Sequence, residues 1–228
     1  MKKVFLTVTL ITAIALSTRA QVYVQGGLNL ANITKTNDGQ TEKNNILPTF
    51  NVGILGRLEL DPMFDLESGV LLTGHGSKAE TYFTNGNYTK TKFNPIYLQV
   101  PLNAVVKIPL QKKSNIFFNA GPYVAIGIGG KSTREDRYLG ITSNSSSSIK
   151  FSNDDPFTSQ QDDAAYDKLK RFDYGLNFGG GFQFNHVILK ANYGLGLAKI
   201  NSTQSNNTVN DKNKYRTLSF SVGIPLGK

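Results

Sequence analysis

The chain has 228 residues, 39% of them hydrophobic, with no cysteine and a formal net charge of +9. The length suits one domain, and the lack of cysteine excludes a disulfide framework, a thiolate nucleophile, a cysteine metal site and a lipidated N-terminus. Lys2, Lys3 and Arg19 supply three of the nine charges. The remaining chain has no dense basic run and no recognition helix, so nucleic acid is not an expected partner, whereas anionic lipid or lipopolysaccharide suits the basic balance.

Residues 1–20 read as a cleaved secretory signal. Lys2 and Lys3 form the basic region, residues 4–16 carry no charge, and Thr18-Arg19-Ala20 ends on a small residue. The apolar run is too short for a spanning helix. Residues 21–228 are expected to form a single domain.

From Gln21 onward the pattern has period two, the signature of half-buried strands. In the first predicted strand Val22, Val24, Gly26, Leu28 and Leu30 oppose Tyr23, Gln25, Gly27 and Asn29. In the second, Phe50, Val52, Ile54, Leu58 and Leu60 oppose Asn51, Gly53, Arg57 and Glu59. The third sets Phe64, Leu66, Val70 and Leu72 against Asp65, Glu67, Gly69 and Thr73. The fourth sets Ile96, Leu98, Val100, Leu102, Ala104, Val106 and Ile108 against Tyr97, Gln99, Asn103 and Lys107. In the fifth, Ile116, Phe118, Val124, Ile126 and Ile128 oppose Asn119, Gly121, Tyr123, Gly127 and Gly129. The sixth places Phe172, Tyr174, Leu176, Phe178, Phe182 and Phe184 opposite Asp173, Asn177, Gly179, Gly181 and Gln183. The seventh places Val187, Leu189, Ala191, Tyr193, Leu195 and Leu197 opposite Lys190, Asn192, Gly194 and Gly196. The last places Leu218, Phe220, Val222, Ile224 and Leu226 opposite Thr217, Ser219, Ser221 and Gly223. Beyond a short helical turn around 162–170, no helix is expected.

One face is apolar in all eight strands and the other is rich in Gly, Asn, Gln and Ser. Glycine suits the tight curvature of a small barrel interior. Each strand is about ten residues long, the length that crosses a bilayer. Connections alternate between short (61–63, 109–114, 185–186) and long (32–47, 74–94, 131–170, 199–214), as in outer-membrane barrels. The expected fold is all-β: an eight-stranded antiparallel up-and-down transmembrane barrel.

Turn lengths give registers. Asn185-His186 pairs Phe184 with Val187 and sets Gly181 opposite Lys190. Asp61-Pro62-Met63 pairs Leu60 with Phe64, so Arg57 faces Glu67 and Glu59 faces Asp65. With Lys107 from the fourth strand, these residues predict a structural ionic cluster of two bases and three acids that holds the lumen shut. A two-residue Asn85-Gly86 turn mismatches the faces and calls for a bulge near Gly74 or Gly76.

No catalytic, cofactor or metal site is expected. His186 reads as a turn residue, and His75 as an exposed polar residue without a motif partner. Loop 131–170 is long enough to be functional. Its candidate binding residues are Arg134, Arg137, Tyr138, Asp154, Asp155, Asp162 and Asp163; the acids lack the spacing of a calcium loop and read as solvated loop residues.

The chain resembles the outer-membrane β-barrel family common in Bacteroidota, described as PorT-like or porin-family. The resemblance is carried by Val24-Gln25-Gly26-Gly27-Leu28-Asn29, residues 66–72, Tyr97-Leu98-Gln99-Val100-Pro101-Leu102, Asn119-Ala120-Gly121-Pro122-Tyr123, Phe172-Asp173-Tyr174-Gly175-Leu176 and Tyr193-Gly194-Leu195-Gly196-Leu197. It implies a bacterial outer-membrane location, insertion by the barrel-assembly machinery and contact with outer-membrane lipid and lipopolysaccharide. A non-enzymatic barrel for envelope structure or partner binding is expected; a lipid-modifying barrel enzyme and a narrow solute channel are the alternatives. The ligand and any envelope protein partner stay open.

Overall fold

The computed structural model describes residues 20–37, 40–43, 46–110, 114–152, 168–200 and 213–226. The expected signal, apart from Ala20, lies outside them, as do Asp154, Asp155, Asp162 and Asp163. The strands are β1 (Ala20–Asn37), β2 (Gln40–Lys43), β3 (Leu47–Asp61), β4 (Phe64–Gly74), β5 (Ser77–Tyr82), β6 (Tyr88–Pro109), β7 (Asn115–Tyr138), β8 (Ile141–Ser148), β9 (Lys150–Ser152), β10 (Lys168–Lys170), β11 (Phe172–Phe184), β12 (Val187–Gly196) and β13 (Lys214–Pro225). Among the described residues the only helical element is one 3₁₀ turn, Thr84–Gly86.

Eight strands close a ring in the order β1, β3, β4, β6, β7, β11, β12, β13, and antiparallel pairing of β13 with β1 completes it. The period-two pattern sets the two faces. Leu28, Ile54, Val70, Leu102, Val124, Phe178 and Val222 are exposed on the outer wall, whereas Tyr23, Asn29, Arg57, Glu67, Asn103, Asn119 and Asn177 are buried inside. A soluble protein does not expose an unbroken apolar wall. A closed ring leaves no ladder group unpaired, which is what a hydrocarbon surround demands.

Ala20, Leu226 and the short connections all lie at one end, here the near rim. The turn at its first hairpin is tighter than expected. Asp61, rather than Leu60, pairs with Phe64, because the ladder shifts between Glu59 and Asp61; below that shift Arg57 still faces Glu67 and Glu59 faces Asp65. Phe184 pairs with Val187 across Asn185-His186, and Gly181 lies opposite Lys190.

At the opposite, far rim three expectations change. The Asn85-Gly86 turn belongs to a five-residue connection between Tyr82 and Tyr88. Its odd length matches the faces directly, so β4 and β5 share one unshifted register on β6 and no bulge forms near Gly74 or Gly76. Gly76 instead takes φ +125, with the Phe93 carbonyl 1.8 Å from where a Cβ would stand. The bulge in this region falls on the β6–β7 ladder, between Ile96 and Tyr97. Finally, residues 131–152, expected as loop, are largely strand. β7 pairs with β11 only as far as Ile126, then continues to Tyr138 and returns as β8 through Leu139 (φ 50) and Gly140 (φ 82). The upper halves of β6 and β7, flanked by β5 and β8, thus form a four-stranded sheet standing above the ring.

Candidate functional site

Inside the ring the side chains form three layers. Nearest the near rim is an ionic layer. Arg57 Nε donates to Glu67 Oε2 at 2.9 Å, and Lys190 Nζ, from the far side of the barrel, pairs with Glu67 Oε1. Tyr23 Oη donates to Oε2 at 2.7 Å and Asn103 Nδ2 to Oε1 at 3.0 Å. The guanidinium lies 4.1 Å from the Phe117 ring centroid and donates to Gln183 Oε1 at 3.0 Å. Lys107 Nζ pairs with Asp65 Oδ1 at 2.7 Å. The structure therefore pairs Arg57 with Glu67 and Lys107 with Asp65, and adds Lys190 to the first pair. Glu59 does not join: it sits at the exposed end of β3, beside the turn. The buried balance is three bases against two carboxylates, the reverse of the expected excess of acid.

Above this layer lies an amide and hydroxyl network. Gln25 donates to Asn51 (3.0 Å), Asn51 to Asn29 (2.7 Å), and Asn29 to Thr73 (2.9 Å); Ser221 also donates to Asn51 at 3.0 Å. It surrounds a cavity of ≈ 50 Å³. Gln25 Oε1, His75 Nε2, Asn103 Oδ1 and Asn192 Oδ1 have no protein partner, and all four residues line that cavity. At roughly 10–15 Å³ each, only a few waters fit.

At the far mouth an aromatic layer packs against residues that follow β8 and precede β11. His75, expected to be exposed, is 4% exposed. It packs against Tyr97 and Tyr215 at 5.3 and 5.0 Å between centroids, with Thr217 Oγ1 3.3 Å from Nδ1. Its odd number places it on the same inward face as Glu67 and Thr73, a parity signal present in the sequence. Tyr123 Oη donates to Asp173 Oδ2 at 2.9 Å. Ile149, Leu169 and Ile200 join Ile33, Tyr97, Tyr123 and Tyr215 in one buried apolar cluster, with Phe151 packed on it. β9 and β10 pair in parallel across this mouth. Phe151 lies edge-on to Tyr97 at 5.4 Å, in space that exists because residue 127 is glycine: a Cβ there would stand 2.1 Å from the Phe151 ring.

The sheet above the ring carries charge asymmetrically. Cross-strand rows Lys78–Lys92–Thr133–Ser146, Glu80–Lys90–Glu135–Asn144 and Tyr82–Tyr88–Arg137–Thr142 share a face with Lys131. That face holds five cations and two carboxylates, of which Lys78, Lys90, Lys92, Glu80 and Glu135 line a groove of ≈ 510 Å³. Tyr88 Oη donates to Glu135 at 2.7 Å and Tyr82 Oη to Glu80 at 3.1 Å, and the latter bond, helped by the nearby lysines, lowers the Glu80 pKa. Lys90 Nζ lies 4.4 Å from the Tyr88 ring centroid. Arg134 is on the opposite face, bound to Asp136 at 2.7 Å; with the Thr89 hydroxyl it holds the Asp136 carboxyl below its ordinary range. Tyr138 is exposed at the tip. No cluster of metal-ligating residues occurs among the described residues.

Residues 16–202 match the family described as outer membrane protein beta-barrel domain. Among solved structures the chain is similar to Ail, the attachment invasion locus protein of Yersinia pestis (15% identity, TM-score 0.38, covering 91% of this chain and 99% of that one). It is also similar to Neisserial surface protein A (15%, TM-score 0.42, 90% and 97%) and to OprG of Pseudomonas aeruginosa (10%, TM-score 0.38, 92% and 98%). No curated protein matches. With its closed eight-strand ring, its apolar outer wall and a family match over most of its length, the chain belongs to the outer membrane protein beta-barrel domain family and resides in the bacterial outer membrane.

Proposed function

We propose that this protein is a non-enzymatic barrel with a plugged lumen, which works through the sheet above its far rim as a recognition surface for anionic groups. In this reading residues 1–20 are the exported chain's cleaved signal, the near rim faces the periplasm and the far rim the outside. The segments around Tyr97 and Phe172 support placing it in the PorT-like branch.

The observation that carries the proposal is the contrast between lumen and sheet. Among the described residues the lumen cavity between an ionic layer and an apolar cap measures ≈ 50 Å³, which leaves a sizeable ligand no room there. The sheet offers an open groove whose carboxylates are already engaged by Tyr82 and Tyr88. Lys78 is also paired with Glu80 at 3.4 Å, which leaves Lys90, Lys92, Lys131 and Arg137 to meet phosphate or carboxylate groups such as those of lipopolysaccharide. Burial of His75 among tyrosines speaks against rim chemistry.

The test is binding of lipopolysaccharide, and of its dephosphorylated form, to the detergent-solubilised barrel. The double variant Lys90→Glu/Lys92→Glu is expected to lower affinity at least tenfold, and added salt to weaken the wild-type complex. Equal binding of both lipid forms, or no effect of the variant, contradicts the reading.

A further inference from the structure

The free edge of β8 differs from the rest of the sheet it belongs to. Among the described residues no strand pairs with the second edge of β8, and all eight of its residues are exposed. Exposed edges are normally guarded by charge, proline or a bulge, because an unpaired row of N–H and C=O groups templates another strand. β8 reads Ile-Thr-Ser-Asn-Ser-Ser-Ser-Ser, with no charge and no proline. The stretch of β7 paired with it carries Lys131, Arg134, Glu135, Asp136 and Arg137. β5, the other end strand of the sheet, carries Lys78 and Glu80, so the guard is missing at β8 alone.

A second feature adjoins this edge. Tyr82, Phe83, Tyr138, Leu139 and Ile141 are all exposed at the sheet's tip, Leu139 and Ile141 at 76% and 75%. The two hairpin ends are tied there by Leu139 N–H donating to Asn87 Oδ1 at 3.0 Å. These side chains lie beyond the ring, so membrane burial does not account for them, and grouped exposed apolar residues mark interaction sites. Ile141 begins β8, so the apolar tip and the open edge are continuous.

We propose that β8 accepts an extended segment of a partner protein as a fifth strand, anchored by an apolar side chain on Leu139 and Ile141 and bearing carboxylates toward the basic face. Backbone pairing supplies affinity in this mode, and alternate side chains supply specificity. Lys131 and Arg137 on β7, opposite Ser148 and Thr142 of β8, are the cations nearest an added strand and favour acidic residues on it. The inference rests on the reading of the sheet as an outward recognition surface, but it adds a partner class and an edge that anion binding does not need.

The experiment selects from a phage-displayed library of random ten-residue peptides against the full-length barrel in detergent micelles. Selected peptides are expected to alternate acidic residues and end on an apolar one. N-methylation of alternate backbone amides along one edge of a selected peptide should abolish binding. Ser145→Lys/Ser147→Lys and, separately, Leu139→Ser/Ile141→Ser should each weaken it at least tenfold while the barrel remains heat-modifiable on gels. Peptides that bind these variants as well as wild type, or that tolerate N-methylation, overturn the proposal. Adsorption of the tip to protein-free lipid vesicles, unaffected by Ser145→Lys/Ser147→Lys, assigns the surface to lipid and overturns it. A dimer abolished by those lysines assigns it to a second copy and does the same. Lipopolysaccharide binding is measured in parallel: its survival alongside failed peptide binding removes the strand proposal alone, and loss of phosphate dependence removes the broader reading.

Discussion

Arg57 and Glu67, joined through the first short turn, form a buried ion pair of 2.9 Å. The carboxylate also answers Lys190 from across the ring, so one acid offsets two bases. Glu67→Gln leaves both cations without a countercharge and is expected to cost about 3–5 kcal/mol. The triple exchange Arg57→Met/Glu67→Leu/Lys190→Met removes all the charges together and should cost less. Urea unfolding in lipid vesicles measures both; a larger loss for the triple variant contradicts the ionic account.

The outer wall makes a depth prediction. Leu102 is exposed midway along the spanning part of β6, and Ile108 near its end. Leu102→Arg should cost about 2–4 kcal/mol and Ile108→Arg about 0–1 kcal/mol. Equal costs in vesicle unfolding assays would mean that the membrane is not centred on this band.

The far cap makes a prediction about access. Gly127→Val drives a side chain into the Phe151 ring and should lift the residues around it. The native chain has no cysteine, so Ile149→Cys provides a clean reporter. It should resist a membrane-impermeant maleimide in the otherwise native chain and react in the Gly127→Val background. Fast labelling in both means that the cap does not close the mouth.

The protruding sheet should be separable from the ring, because β7 pairs with β11 only up to Ile126. Replacing 133–147 with a short Gly-Ser linker is expected to leave a heat-modifiable barrel that no longer binds lipopolysaccharide. Retained binding would place recognition elsewhere.

How far the sequence carried these conclusions depends on what each residue faces. Because lipid outside and a crowded polar lumen inside leave each position one choice, alternation read both faces of the eight ring strands up to the β6–β7 bulge, where Gly129, expected inward, pairs with outward Ile96. Turn arithmetic put Arg57 opposite Glu67 despite a one-residue error at Leu60, since the shift lies beyond the pair. Lys190 could be placed facing inward, but its contact with Glu67 spans the lumen between strands that are not neighbours in the ring, and pairwise register says nothing about that distance. The β5–β6 half of the sheet above the ring reads as a hairpin in the sequence, whereas the β7–β8 half reads as loop because it stands in water. It needs no apolar face, and a run such as 141–148 then carries no periodic signal. Glu59 has inward parity yet lies at the rim, where the barrel no longer encloses it.

The central claim is that the lumen is sealed and recognition happens outside it, and single-channel recording in planar bilayers tests it most directly. Reconstituted protein is expected to give no steady conductance steps, with the Arg57–Glu67–Lys190 layer and the Phe151 cap both in place. Large, steady, reproducible steps from the folded, heat-modifiable barrel would contradict the account.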